Sequence, residues 1–169
     1  MKHKIFFSWQ SDTPNRVGRS LIGRALECSV GILQIDSDIE EAIREGLEND
    51  SDTKGVPGSP PIVDTIFKKI DDAEIFVADL TFCGNRRNGD LAPNPNVLIE
   101  YGWALKSRGY NRIVCIMNTA YGDPKVNQLP FDMRHLRHPV QFDCPEDADD
   151  SRRAKAIGDL AGKLAFAFK

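Results

Sequence analysis

Residues 74–80 read Glu-Ile-Phe-Val-Ala-Asp-Leu, four apolar residues in a row closed by an acid. A strand exposed on one face alternates apolar and polar side chains, whereas a strand covered on both faces reads as a continuous apolar run. The stretch therefore predicts a strand buried in a parallel sheet. Working outward, the same signature recurs at residues 4–9 (KIFFSW) and 112–118 (RIVCIMN), with a short last strand at 140–143.

Helical patterns fill the intervals. Pro14 suits the first turn of a helix capped by Thr13 or Asp12, and Val17, Leu21, Ile22, Ala25 and Leu26 carry its apolar stripe to about Gly31. Residues 38–43 look helical, and 44–49 read as a short polar edge strand, which the fold needs. Residues 52–60 form a Gly- and Pro-rich loop. Ser59 then caps a helix with Pro60 in its first turn and Ile62, Val63, Ile66, Phe67 and Ile70 on its core face. A long polar loop spans 81–95 and leads to a helix whose residues 97–105 are apolar all round except for Glu100 and Gly102. That pattern predicts a mostly buried helix. Residues 119–139 are irregular, and 151–168 form a closing helix.

Alternating strands and helices define a single α/β domain over residues 1–169. The predicted plan is flavodoxin-like: five parallel strands in order 2-1-3-4-5 with helices on both faces. The apolar helical pattern at 164–168 leaves room for this domain to be the N-terminal part of a longer protein.

Composition narrows the class. The chain has 169 residues, a net charge of −3, 41% hydrophobic and 28% charged residues, ordinary values for a globular protein. The absence of a basic excess argues against direct nucleic-acid binding. Cys28, Cys83, Cys115 and Cys144 are widely spaced with no Cys-x-x-Cys pair. That usage predicts reduced thiols in a cytoplasmic protein, with neither a disulfide frame nor a zinc site. No apolar run approaches membrane length, and no signal peptide is evident.

In doubly wound sheets, ligands bind outside the carboxyl ends of the strands, near the point where strand order reverses. That rule nominates the loop from Ser8 to Thr13, residues 79–96, the start of the helix carrying Glu100, and the end of the third apolar strand near Asn118. Glu100 is read either as a carboxylate helped by the helix dipole or as a cleft carboxylate doing chemistry; the topology favours the cleft. Asp79 closes a buried run, where an acid costs free energy unless paired or wet, although a strand-terminal Asp also serves as a turn former. Two carboxylates in one cleft would suit glycosidic bond cleavage. Ser8, Trp9, Gln10, Ser11 and Asp12 supply hydroxyls, an amide, an aromatic ring and a helix start, groups that suit a phosphate or a ribose. Arg86 and Arg87 would meet phosphates if their loop folds over the cleft. No metal-ligand spacing and no Ser-His-Asp or Cys-His arrangement stands out.

Four blocks carry a family resemblance: residues 7–12 (FSWQSD), 52–60 (DTKGVPGSP in 52–60), 77–80 (VADL) and 94–105 (NPNVLIEYGWAL), joined by 129–134 (LPFDMR). Together they resemble bacterial TIR-like domains, and the Asn-Pro-Asn-Val-x-x-Glu block is also similar to nucleoside 2-deoxyribosyltransferases. The chain differs from the animal TIR pattern in having Asn96 and Leu98 ahead of Glu100. The resemblance implies a catalytic role for Glu100 at an anomeric carbon and a substrate-contacting role for Asp79, with Asn94 and Asn96 in the substrate site. It implies cleavage of NAD to nicotinamide and ADP-ribose or a cyclised product, with NAD as substrate and no cofactor required. It further implies that the loop from Asp52 to Pro60 helps shape the site and packs between subunits, and it implies self-association, a fused or separate sensor, and a place in antiphage defence or signalling. Deoxyribosyl transfer and a non-catalytic nucleotide-binding or assembly module are the alternatives.

Overall fold

The computed structural model describes residues 2–52, 61–126, 129–134 and 138–169. Its elements are β1 (His3–Ser8), α1 (Arg19–Gln34), α2 (Glu41–Gly46), β2 (Leu47–Asp50), α3 (Ile62–Asp72), β3 (Ile75–Asp79), β4 (Phe82–Asn85), β5 (Leu91–Pro93), α4 (Pro95–Arg108), β6 (Ile113–Asn118), β7 (Val140–Phe142) and α5 (Asp150–Phe168). Five strands form one parallel sheet in the order β2-β1-β3-β6-β7. With the small β4–β5 hairpin set aside, this is the predicted flavodoxin-like order.

The apolar runs are continuous because alternate residues feed two different cores. Ile5, Phe7 and Val77 pack with Leu21, Ile22, Leu26, Leu160 and Leu164 from α1 and α5. Phe6, Phe76 and Ala78 face the opposite way, toward Ile70 of α3 and Val97, Tyr101 and Ala104 of α4. Phe6 and Phe76, paired in register, stack with centroids 6.1 Å apart. Each fully buried Phe contributes about 1.5–3 kcal/mol through apolar burial.

Four local expectations are corrected. Helix α1 starts at Arg19, not Pro14: the Pro14 carbonyl accepts from the N–H groups of Val17 and Gly18 in a turn, each at 3.0 Å. Neither predicted cap operates, since Thr13 is buried against Gly18 and the Asp12 carboxylate is engaged elsewhere. A Cβ at Gly18 would come within 2.6 Å of the Thr13 hydroxyl oxygen, so the close approach requires glycine there. Residues 81–95 hold the β4–β5 hairpin, turned through Gly89 at φ +86°. Helix α4 buries Val97, Tyr101 and Ala104 but leaves Ile99 and Trp103 exposed. Only one face of α4 meets the sheet, and Trp103 stacks on Phe67 of α3 at 4.3 Å. On α3, Ile70 is buried and Ile66 and Phe67 partly so, whereas Ile62 and Val63 stay exposed. The predicted cap at Ser59 lies outside the described residues.

The four cysteines are free. Among the described residues, no helix is long and apolar enough to cross a membrane, and no group of three or more His, Cys, Asp or Glu is placed to hold a metal ion.

Candidate active site

A cavity of about 240 Å³ opens at the carboxyl edge of the sheet beside β1. Strand order reverses there: β1 is followed in sequence by β2 on one side and flanked by β3 on the other. The cavity is lined by Phe6, Phe7 and Ser8 of β1; Trp9, Gln10 and Ser11 of the next loop; Asp52 beyond β2; Ile66 of α3; and Asn94, Asn96 and Glu100 at the start of α4.

Helix α4 delivers its residues through an N-terminus built by sequence. Asn94 is the cap, its Oδ1 accepting from the N–H of Asn96 at 2.8 Å and of Val97 at 3.2 Å, with Pro95 in the first helical position. The Asn94 Nδ2 donates to Asp12 Oδ2 at 2.6 Å. One carboxamide thus caps the helix and ties it to the loop after β1. Asn94→Ala is expected to cost about 1–2 kcal/mol of stability through loss of the cap, measurable as a lower urea midpoint with an unchanged m-value.

Glu100 stands in the second turn of α4, half-buried at the cavity wall. Burial raises its carboxyl pKa, the Ser8 hydroxyl beside it lowers it, and the charge of Asp52 raises it further. Ser8 is 1% exposed and its hydroxyl oxygen makes no well-formed hydrogen bond, so it approaches Glu100 without being committed to it. Trp9 is half-buried, with the Arg19 guanidinium 3.5 Å from its ring centroid. Gln10 is buried and its amide is used internally: Nε2 donates to the Thr81 carbonyl at 3.0 Å, and Oε1 accepts from the Asp12 N–H at 3.2 Å.

Asp79 does not line the cavity. It is fully buried, with Oδ1 accepting from the Thr81 N–H at 3.0 Å and Oδ2 without a partner. Burial drives its pKa from 3.8 to about 6, against the opposing pull of the Thr81 hydroxyl and N–H. The folded state therefore holds the Asp79 proton more tightly than the unfolded chain. The resulting contribution favours folding below pH 3.8 and is lost as the pH rises through about 6. The gap between the two values corresponds to about 3 kcal/mol. Asp79→Asn is expected to remove this loss: its stability relative to wild type should climb between pH 4 and pH 7 and then level off, as read by denaturant titration at each pH.

Asn118, also nominated by the carboxyl-edge rule, is buried in an internal network and does not line the cavity. Arg86 pairs with Asp90 at 3.0 Å within the hairpin, and neither Arg86 nor Arg87 lines the cavity. Burial raises the Cys83 thiol to about 11, with the neighbouring Asp12 adding to the effect, so it is protonated at neutral pH.

Of the nine predicted site residues, Ser8, Trp9, Gln10, Ser11, Asn94, Asn96 and Glu100 are brought together, Asp12 stands one bond behind Asn94, and Asp79 is held apart. Sequence reasoning missed Phe6, Phe7 and Ile66 as wall residues, while Asp52, the first residue of the loop that the resemblance assigns to the site, does line the wall. Asp52 has φ +49°, the left-handed region that most L-residues enter at a cost of about 1–2 kcal/mol and that Asp tolerates best after Gly and Asn. Its signal was its place directly after an edge strand, the same carboxyl-edge rule that nominated Ser8.

No protein-family model matches the chain, and no curated protein matches it in sequence. Among solved structures, it is similar to the TIR domains of the activated Roq1 resistosome directly recognising the pathogen effector XopQ. That likeness has 15% identity, 95% of this chain and 84% of the other covered, and a TM-score of 0.47. A flavodoxin-like domain from Synechococcus sp. is similar at 12% identity, covering 98% of this chain and 99% of that one, with a TM-score of 0.43. A mutant flavo di-iron protein from Thermotoga maritima is similar at 12% identity over 96% of this chain and 35% of that one, with a TM-score of 0.42. Likenesses this distant concern the fold alone, and the flavodoxin-like plan rests on the strand order itself.

Proposed function

We propose that this domain cleaves the nicotinamide–ribose bond of NAD, giving nicotinamide and ADP-ribose or a cyclised product. The observation that supports this most directly is Glu100, a partly desolvated carboxylate in the wall of a cavity at the switch point of the sheet. As the C–N bond breaks, its electron pair leaves with the pyridinium ring, which becomes neutral nicotinamide. Positive charge passes to the ribose C1′ and ring oxygen, where a fixed carboxylate in low dielectric stabilises it far better than water does. Water, or a nucleophilic nitrogen of the same molecule, then bonds to C1′ and gives up a proton where it carries one. The scheme needs no cofactor beyond the substrate.

The volume favours partial occupancy. Whole drug-sized ligands fill about 300–1,000 Å³, so 240 Å³ suits the nicotinamide–ribose half and leaves the diphosphate and adenosine outside. Ser8 and Asn96 then serve the ribose hydroxyls. Asp79 supports the Thr81–Gln10 contact beneath the loop in place of the substrate contact that the resemblance assigns it. By that same resemblance we assign the activity to antiphage defence or signalling, with turnover in a self-associated state.

The test is to incubate NAD with concentrated full-length protein and quantify nicotinamide by chromatography, beside Glu100→Gln. Nicotinamide from wild type alone supports the reading. Equal release by both, or release of free base from deoxynucleosides but none from NAD, overturns it.

A further inference from the structure

The charge of the cavity wall is one-sided. Among its described lining residues are two carboxylates, Glu100 and Asp52, and no Lys, Arg or His. Among the described residues, Lys69 pairs with Asp50 at 2.7 Å, and Arg19 is engaged over the Trp9 ring. Two like charges sharing a partly desolvated space repel each other, and Asp52 does oppose ionisation of Glu100. A fold gains nothing from that pairing by itself. Asp52 is moreover fixed at φ +49°, so its backbone is set in a left-handed conformation at the rim. The wall also contains Ser8, 1% exposed with its hydroxyl oxygen unpartnered, a polar group available to a ligand.

We infer that Asp52 is a specificity-determining residue which, together with Glu100, makes this cavity a receptor for a cationic aromatic ring over its neutral or anionic counterparts. The inference deepens the proposed NAD cleavage, since only the oxidised nicotinamide ring is a cation, and it assigns to Asp52 the discrimination that Glu100 alone would share with catalysis. A cation between the two carboxylates relieves their repulsion and is attracted by both, in a region where the effective dielectric is well below that of water. A neutral ring of the same size gains only packing against Trp9 and Ile66. An anionic ring meets two like charges.

The experiment compares three rings of nearly equal shape by calorimetric titration into the full chain: 1-methylnicotinamide, a cation; nicotinamide, neutral; and nicotinate, an anion. Wild type should bind the cation about tenfold or more tightly than the neutral ring. Asp52→Asn, which keeps the left-handed backbone accessible, should lower affinity for the cation about tenfold and leave that for nicotinamide unchanged. The inference is overturned if nicotinamide binds as tightly as 1-methylnicotinamide, if the cation does not bind, or if Asp52→Asn binds it as wild type does. No turnover is needed, so the two readings separate. Charge-selective binding by a protein that leaves NAD intact retains the role of Asp52 and removes the reaction. Cleavage of NAD by Asp52→Asn at wild-type kcat/KM retains the reaction and removes the role.

Discussion

Replacing Glu100 with glutamine is expected to lower nicotinamide release from NAD by about 10³-fold or more, with no loss of thermal stability. The substitution keeps the shape of the side chain and removes only its charge. Loss of one preorganised electrostatic partner of a developing charge typically costs about 10²–10³ in rate, and a full carboxylate facing an oxocarbenium lies at the upper end. Stability should move the other way, because burial and Asp52 make the ionised form of Glu100 unfavourable in the folded protein. That penalty sets in as the pH rises through the raised pKa, and glutamine never incurs it. For wild type the same raised pKa places the acid limb of the rate profile above the ordinary glutamate value of 4.5. A variant that stays folded by circular dichroism and keeps wild-type turnover would remove Glu100 from the chemistry.

Asn118→Ala should be the most destabilising single change among the polar residues near the sheet's carboxyl edge, at about 3–5 kcal/mol. The Asn118 side chain makes four hydrogen bonds to the backbone. Its Nδ2 donates to the carbonyls of Val17 at 3.2 Å and Cys144 at 2.8 Å, and its Oδ1 accepts from the N–H groups of Ala120 at 3.2 Å and Cys144 at 3.0 Å. The residue is 1% exposed. Truncation strands these partners where water reaches poorly, and each orphaned group costs about 1–3 kcal/mol. Asn118→Asp should be nearly as damaging, since a carboxylate cannot donate to the two carbonyls. Urea midpoints close to wild type for both variants would show that the network is dispensable.

The sheet was legible because its signal is redundant. Residues 75–79 and 113–118 are apolar throughout, and such runs have few homes outside a parallel sheet covered on both faces. The start of α1 was not legible, because capping by Asp12 or Thr13 is a local preference: Asp12 accepts instead from Asn94 across the fold, and the buried Thr13 hydroxyl makes no hydrogen bond. One rule, applied to one charged residue among apolar neighbours, put Glu100 at the carboxyl edge, and it lies in the cavity wall there. The same rule misjudged Asp79, since it locates the end of a strand but not whether the next residues cover it; Leu80, Thr81 and Phe82 are all buried. Asp52 entered only through the resemblance of its loop, because composition identifies irregular backbone but says nothing of which side chain turns inward. The apolar ring around α4 overstated burial, because neighbouring helices are too few to cover it and periodicity cannot count neighbours.

The order β2-β1-β3-β6-β7 also governs how the molecule is made. Strand β1 leaves the ribosome first, yet its partner across the switch point lies 70 residues later, Ile5 opposite Ile75. At ordinary rates of synthesis that interval lasts about 4–14 s. Throughout it, β1 has at most the four-residue β2 as a strand partner and α1 to cover Ile5 and Phe7, with Phe6 and the other edge open. The centre of the sheet is thus the most vulnerable part of the nascent chain, and expression at low temperature or with holdase chaperones should benefit this topology more than one whose first strands pair as a hairpin.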